Sequence, residues 1–249
     1  MVADVGAPAL RPALAKLGAG GAHGLLLVAM RGVLRALIWV ALALALIVAV
    51  ARAFAIRWWR VPADDPQIEA SIAPTLRGGD LVILWRLTEA DIGDLVLCPE
   101  PARADNDGGR IVIGRIIAEA GDDVEVKDGR IFVNKRPLLT ESGCQEDSTF
   151  SVYNPATDLD IEQHCAMERI GSTLHKIGKR SPTVSAPPDQ ATVEVGRGLV
   201  WLASDNRLLP YDSRDYGSVS RAECTETVIF RLVSAEGYFD VDARFSIID

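Results

Sequence analysis

Sixteen consecutive uncharged residues, Ala36 to Ala51 (ALIWVALALALIVAVA), constrain this chain more than any other feature. A membrane-spanning helix needs roughly 20 apolar residues, so the run alone is short. It reaches the required length when Arg52 snorkels its guanidinium to the interface and Ala53-Phe54-Ala55-Ile56 continue the helix. Trp58 and Trp59 then stand where interfacial aromatics belong. No small-x-small site in the run precedes a polar stretch cleanly, as a cleaved signal peptide requires. The spacing predicts an uncleaved anchor over residues 33–57, preceded by a cytoplasmic tail (1–32) and followed by an extracytoplasmic domain (62–249). Residues 1–23, rich in Ala, Gly and Pro, read as disordered, with a short interfacial helix at Leu25–Met30.

Charge divides the chain in the same place. Residues 1–60 hold Arg11, Lys16, Arg31, Arg35, Arg52, Arg57 and Arg60 against Asp4 alone, so the net charge of −8 comes wholly from the body. An acidic body excludes a phosphate-backbone partner, and no nucleic acid is expected. Four cations precede the apolar run and three follow it, so the positive-inside rule leaves orientation open. Cysteine adds to the case for an oxidising compartment. Cys144 and Cys165 lie in a polar, loop-like stretch and are candidates for a disulfide, whereas Cys98 and Cys224 sit in apolar strand contexts and read as buried thiols.

Beyond Pro62 the pattern changes to short β-type runs. Leu81–Trp85, Leu95–Leu97, Ile111–Ile113 with Ile116–Ile117, and Gly198–Leu202 suit half-buried or buried strands. Val124–Val133 alternates with period two around Asp128-Gly129, a pair that accepts the positive φ of a type I′ turn. No comparable helical stretch follows residue 60, with Gly171–Ile177 ambiguous, so an all-β, barrel-like domain with one N-terminal transmembrane helix is expected. Pro99–Gly109 reads as a polar turn cluster, and residues 140–190, low in apolar periodicity, read as an inserted, mobile or separately folded flap.

Three segments carry chemistry. Ser71-Ile72-Ala73-Pro74-Thr75-Leu76 with Gly79-Asp80 places a serine on a turn just outside the anchor. Gly114-Arg115-Ile116-Ile117-Ala118-Glu119-Ala120-Gly121-Asp122 is followed by the Val126–Gly129 hairpin and Asn134-x-x-Pro137-Leu138. Ser204-Asp205-Asn206-Arg207 runs on to Asp212-Ser213-Arg214-Asp215-Tyr216-Gly217. In order and spacing these resemble signal peptidase I, the membrane-bound serine proteases of the S26 family that remove signal peptides from exported proteins. The likeness extends from the anchor to about residue 232, and Glu168-Arg169-Ile170 and His175 resemble the insert of the Gram-negative-type enzymes.

The resemblance implies a Ser/Lys dyad, because a serine hydroxyl needs an adjacent base and a lysine serves only when burial keeps it neutral. Ser71 falls on the nucleophile position and Gly114 on the general-base position, which here has no side chain. Glu69 occupies the oxyanion serine position, where a carboxylate opposes developing negative charge. Pro210 replaces the serine that orients the lysine, Ile72 a methionine and Ser204 a glycine. Asp205, Arg207, Asp212, Ser213 and Arg214, which build charge pairs and turns near the site in the family, remain. Lys127, Lys135, Lys176, Lys179, His164 and His175 are the replacement bases to weigh; Lys127 lies in the hairpin and reads as a solvated strand residue.

Losing a base that acts with its nucleophile costs roughly 10⁴–10⁶ in rate. The expectation is a non-catalytic member, acting as an accessory, peptide-binding or scaffold subunit of a membrane complex in the bacterial inner membrane and holding a signal peptide or a partner's membrane segment. The alternative is an active, atypical protease working through Ser71. No cofactor is expected, and no His/Cys spacing suits a metal.

Overall fold

The computed structural model describes residues 20–103, 108–144, 149–179 and 185–248. Two compact units divide at Ala51/Arg52. The first holds most of helix α1 (Gly20–Phe54), whose stretch Met30–Phe54 is long and apolar enough to cross a bilayer. The residues expected as a separate interfacial helix belong to this one continuous helix. The tail residues 1–19 lie outside the described residues.

The second unit is built mostly of β-strands. In chain order they are β1 (Ile56–Arg60), β2 (Leu81–Trp85), β3 (Leu95–Pro99), β4 (Ile111–Glu119), β5 (Asp123–Lys127), β6 (Arg130–Val133), β7 (Arg136–Pro137), β8 (Leu139–Gly143), β9 (Thr149–Asn154), β10 (Leu159–Ile170), β11 (Thr173–Lys179), β12 (Gln190–Glu194), β13 (Leu199–Ala203), β14 (Val219–Ser220), β15 (Glu226–Val233) and β16 (Ser246–Ile247). The main sheet runs β1-β2-β15-β3-β4-β13-β14, with β16 on β15. A second sheet joins β12-β5-β6-β7, and a third is centred on β10, flanked by β11, β8 and β9. The period-two signal around Asp128-Gly129 resolves as expected: both residues take positive φ (52° and 72°) and Lys127 faces Arg130 across the turn.

Two short α-helices, too brief to rank beside the strand signals in the sequence, interrupt the strands. Helix α2 (Pro66–Ile72) follows from local chemistry, with Asp65 as N-cap accepting from the Ile68 amide at 3.1 Å and Pro66 in the first turn. It buries Ile68 and Ile72 in a core with Leu76, Val82, Leu84, Leu95, Leu97 and Ile113. Helix α3 (Ser213–Tyr216) starts at a capping box between Asp212 and Asp215. The stretch Gly171–Ile177, ambiguous in sequence, falls in a turn and strand β11.

Both cysteine pairs are disulfides. Cys144 bonds Cys165, as the polar context allowed. Cys98 bonds Cys224 across a Cα separation of 4.4 Å, which corrects the reading of those two as thiols. The register explains it. Leu97 faces Glu226 in the β3–β15 pair, so Cys98 meets the residues just before β15. Apolar context does not distinguish a buried thiol from a half-cystine.

Candidate active site

Ser71 sits in the last turn of α2, not on a turn, and is 1% exposed. Its Oγ donates to the Ile68 carbonyl oxygen at 2.9 Å, the back-bond that serine commonly makes within a helix. The helix end is held from outside by Asn206. Its backbone amide donates to the Ser71 carbonyl at 2.9 Å and its Nδ2 to the Ala70 carbonyl at 2.8 Å. Its Oδ1 accepts from the amides of Leu208 and Leu209 at 3.1 and 2.9 Å. Sequence reasoning missed Asn206 as a site residue; its place within the Ser-Asp-Asn-Arg segment was the available signal.

Gly114 lies buried in β4, opposite Val96 of β3. A Cβ built on it would stand 3.0 Å from Leu202 Cβ and 3.5 Å from the Ala203 carbonyl oxygen, so Leu202 occupies the space a longer side chain would enter. Strand β13 joins β4 only from Arg115 onward, which leaves Ile111–Gly114 paired to β3 on one edge and, among the described residues, to no strand on the other. Helix α2 packs near this part of β4.

Among the described residues, no lysine or histidine nitrogen hydrogen-bonds to the Ser71 hydroxyl. Lys127, Lys135, Lys176, Lys179 and His164 are exposed, while Ser71 is buried. His175 is buried, and neither ring nitrogen makes a hydrogen bond. Glu69 turns its carboxylate over Gly78: a Cβ there would meet Glu69 Cδ at 2.8 Å. Pro210 is half-buried beside Tyr211, whose amide donates to Ser204 Oγ at 3.0 Å. Ser204 thus pins this turn.

The charged residues form two buried knots. In the first, Arg115 grips Asp205 through Nε and Nη2 at 3.0 and 3.1 Å and donates Nη1 to the Gly93 carbonyl at 2.5 Å. Thr75 Oγ1 donates to Asp205 Oδ2 at 2.6 Å. Burial alone would raise the Asp205 carboxyl, but the Arg115 charge, His175 and the bonds from Arg115 and Thr75 outweigh it and bring it to about 2. Arg207 pairs with Glu168 and donates to the Ser204 carbonyl. His175 Nε2 lies 3.6 Å from Glu168 and 3.7 Å from Asp205. Burial lowers its imidazole to about 3; Asp205 pulls the other way, and Arg115 and Arg207 push further down, so the ring is neutral. In the second knot Asp212 accepts from the Ser204 amide (2.7 Å), the Arg214 amide (3.0 Å) and the Arg214 guanidinium (2.9 and 2.6 Å). Burial again raises this carboxyl, and Arg214 with these bonds lowers it below its ordinary value. Ser213 Oγ accepts from the Leu202 amide at 2.9 Å.

The structure therefore brings together Ser71, Asn206, Asp205, Thr75 and Arg115 around the end of α2, and sets Gly114 against Leu202. Among the described residues, no amine hydrogen-bonds to the serine in this framework.

The family described as signal peptidase, peptidase S26, matches residues 34–233. A signal peptidase I structure from Enterococcus faecalis V583 is similar over 57% of this chain and 97% of its own, at 19% identity and a TM-score of 0.34. No curated protein sequence matches the chain.

Proposed function

Because the chain belongs to the signal peptidase S26 family, we propose that it is a non-catalytic member, which holds an extended peptide without cutting it. The observation that carries this reading is the state of Ser71. Its hydroxyl is buried, donates to Ile68 and has no hydrogen bond to an amine or imidazole. A nucleophile without a base loses the proton transfer on which acyl chemistry depends. At the general-base position Leu202 fills the adjoining space.

What persists is suited to binding. The free edge of Ile111–Gly114 can pair with an extended chain by strand addition, where main-chain hydrogen bonds supply affinity. Two disulfides, with no free cysteine among the described residues, fit an oxidising compartment and support an extracytoplasmic β-domain on a chain anchored in the bacterial inner membrane. The ligand is then a signal peptide or a partner's membrane-proximal segment, and the chain serves as an accessory subunit of a membrane complex.

The test uses the full-length chain in detergent micelles, incubated with a preprotein. Binding without cleavage, unchanged in Ser71→Ala, is the expected result. Cleavage that disappears in Ser71→Ala would refute the proposal and establish the chain as an active, atypical protease.

A further inference from the structure

The sheet formed by β8–β11 lies over the Ser71 helix. Strand β9 turns Phe150, Val152 and Asn154 inward, and Phe150 and Val152 pack on Ala70, Ala73 and Leu209. Strand β11 joins the Ser204–Arg207 segment through two backbone bonds, Gly178 amide to Asp205 carbonyl and Arg207 amide to Gly178 carbonyl, both 2.9 Å. The helix that carries Ser71 is thus covered by a sheet that the chain inserts between β7 and β12.

The seam beneath this cover is held by the buried Arg207–Glu168 pair and by Thr75 Oγ1, which donates to the Lys176 carbonyl at 3.3 Å, but other polar groups along it lack partners. Gln163 of β10 is 0% exposed, yet neither its Nε2 nor its Oε1 has a hydrogen-bond partner. Its Oε1 lies where a Cβ on Gly178 would be, 2.7 Å away, so the amide is wedged into the junction with β11. His175 leaves both ring nitrogens unbonded, and Arg207 leaves its Nε. Among the described residues, five of the eight buried unpartnered side-chain atoms therefore belong to this seam. A buried donor or acceptor with no partner keeps its desolvation cost uncompensated and recovers it on meeting water. The apolar part of the seam is small, since two of its buried members are alanines. The sheet itself is better held, with β10 paired along both flanks and Cys144–Cys165 tying the β8–β9 junction to β10.

We propose that this sheet is a lid, which opens as a unit along the seam and uncovers α2. Opening exposes Gln163 and His175 to solvent and leaves the internal ladders of the sheet intact. Low local stability of this kind belongs to elements that move for a ligand. The proposal goes beyond the function above and holds whether or not Ser71 is silent.

Hydrogen exchange of the full-length chain in detergent micelles, read by peptide mass, tests it without any cleavage assay. Under native conditions the α2 amides should exchange at least 10-fold faster than those of β4 and β13, while β10 and β11 keep their mutual protection. Gln163→Met, which removes the unbonded amide at similar volume, should slow α2 exchange at least 5-fold. Phe150→Ala, which thins the apolar seam, should speed it by a similar factor. Exchange of α2 at the rate of β4, or rates that neither substitution moves, would overturn the lid.

Discussion

A Cβ on Gly114 would stand 3.0 Å from Leu202 Cβ. That distance is tighter than ordinary van der Waals contact, so Gly114 and Leu202 are packed to each other and the glycine is part of the core.

Placing an amine at Gly114 therefore meets resistance. Gly114→Lys must push Leu202 aside, and overpacking of this kind costs about 1–3 kcal/mol. The substitution should lower the thermal midpoint and yield no cleavage, because Pro210 offers no hydroxyl to orient the new amine and Ser71 still donates to Ile68. Gly114→Lys combined with Leu202→Ala should regain part of the midpoint. Thermal scans and a preprotein gel assay on the same samples check both statements; cleavage by the single variant would contradict them.

The Arg115–Asp205 pair predicts a large asymmetric penalty. Both side chains are 0% exposed, and the two parallel bonds satisfy charges that could not be buried singly. Arg115→Ala leaves Asp205 charged and buried, and should cost about 3–5 kcal/mol in urea unfolding. Thr75→Val removes one hydrogen bond to the same carboxylate and should cost less, about 1.5–3 kcal/mol. Equal costs for the two substitutions would show that the pair does not dominate the knot.

The buried imidazole of His175 gives stability a pH dependence with a fixed sign. Its folded pKa, about 3, lies below its ordinary 6.5. Between those values the unfolded chain binds a proton that the folded chain refuses, so the contribution is full above pH 6.5 and declines as pH falls toward 3. The slope is at most about 1.4 kcal/mol per pH unit. His175→Gln should flatten the unfolding free energy between pH 6.5 and 4.5 relative to the parent chain. Asp205 acts lower down: its pKa is depressed to about 2 from 3.8, so its contribution is present above 3.8 and lost toward 2. Urea titrations across pH distinguish the two windows.

The parts that were legible in the sequence are those governed by local rules. Short apolar β-type runs marked β2, β4 and β13, and alternation around Asp128-Gly129 marked its hairpin, because side-chain pattern and turn chemistry act over a few residues. Helix α2 escaped because seven residues are too few to show a helical period; Asp65-Pro66, an N-cap followed by a first-turn proline, was the overlooked sign. Strands β10 and β11 were obscured because Gln163, Glu168 and His175 face inward, where alternation leads one to expect apolar side chains. The Cys98–Cys224 bond and the hold of Asn206 on Ala70 span 126 and 136 residues, and no local pattern reports such partners. Ordered motifs drew attention to Ser71, Gly114 and Asp205, while the surroundings of Ser71 and Gly114 depend on packing from distant strands.

Asn206 supplies the last prediction. The final carbonyls of a helix lack intrahelical partners. In α2 Asn206 satisfies two of them, Ala70 with its Nδ2 and Ser71 with its backbone amide, while the Leu76 amide reaches Ile72 at 3.2 Å. The same side chain accepts the amides of Leu208 and Leu209, so it joins the serine helix to the loop leading to Pro210. Asn206→Ala strands the Ala70 carbonyl and both loop amides in a buried setting, and should cost about 2–4 kcal/mol. Asn206→Asp keeps the acceptor for the two amides but sets a carboxylate against the Ala70 carbonyl, and should cost a comparable amount. Urea unfolding with an unchanged m-value would mark these as native-state losses. A cost below about 0.5 kcal/mol for Asn206→Ala would mean that α2 is held by its apolar face alone.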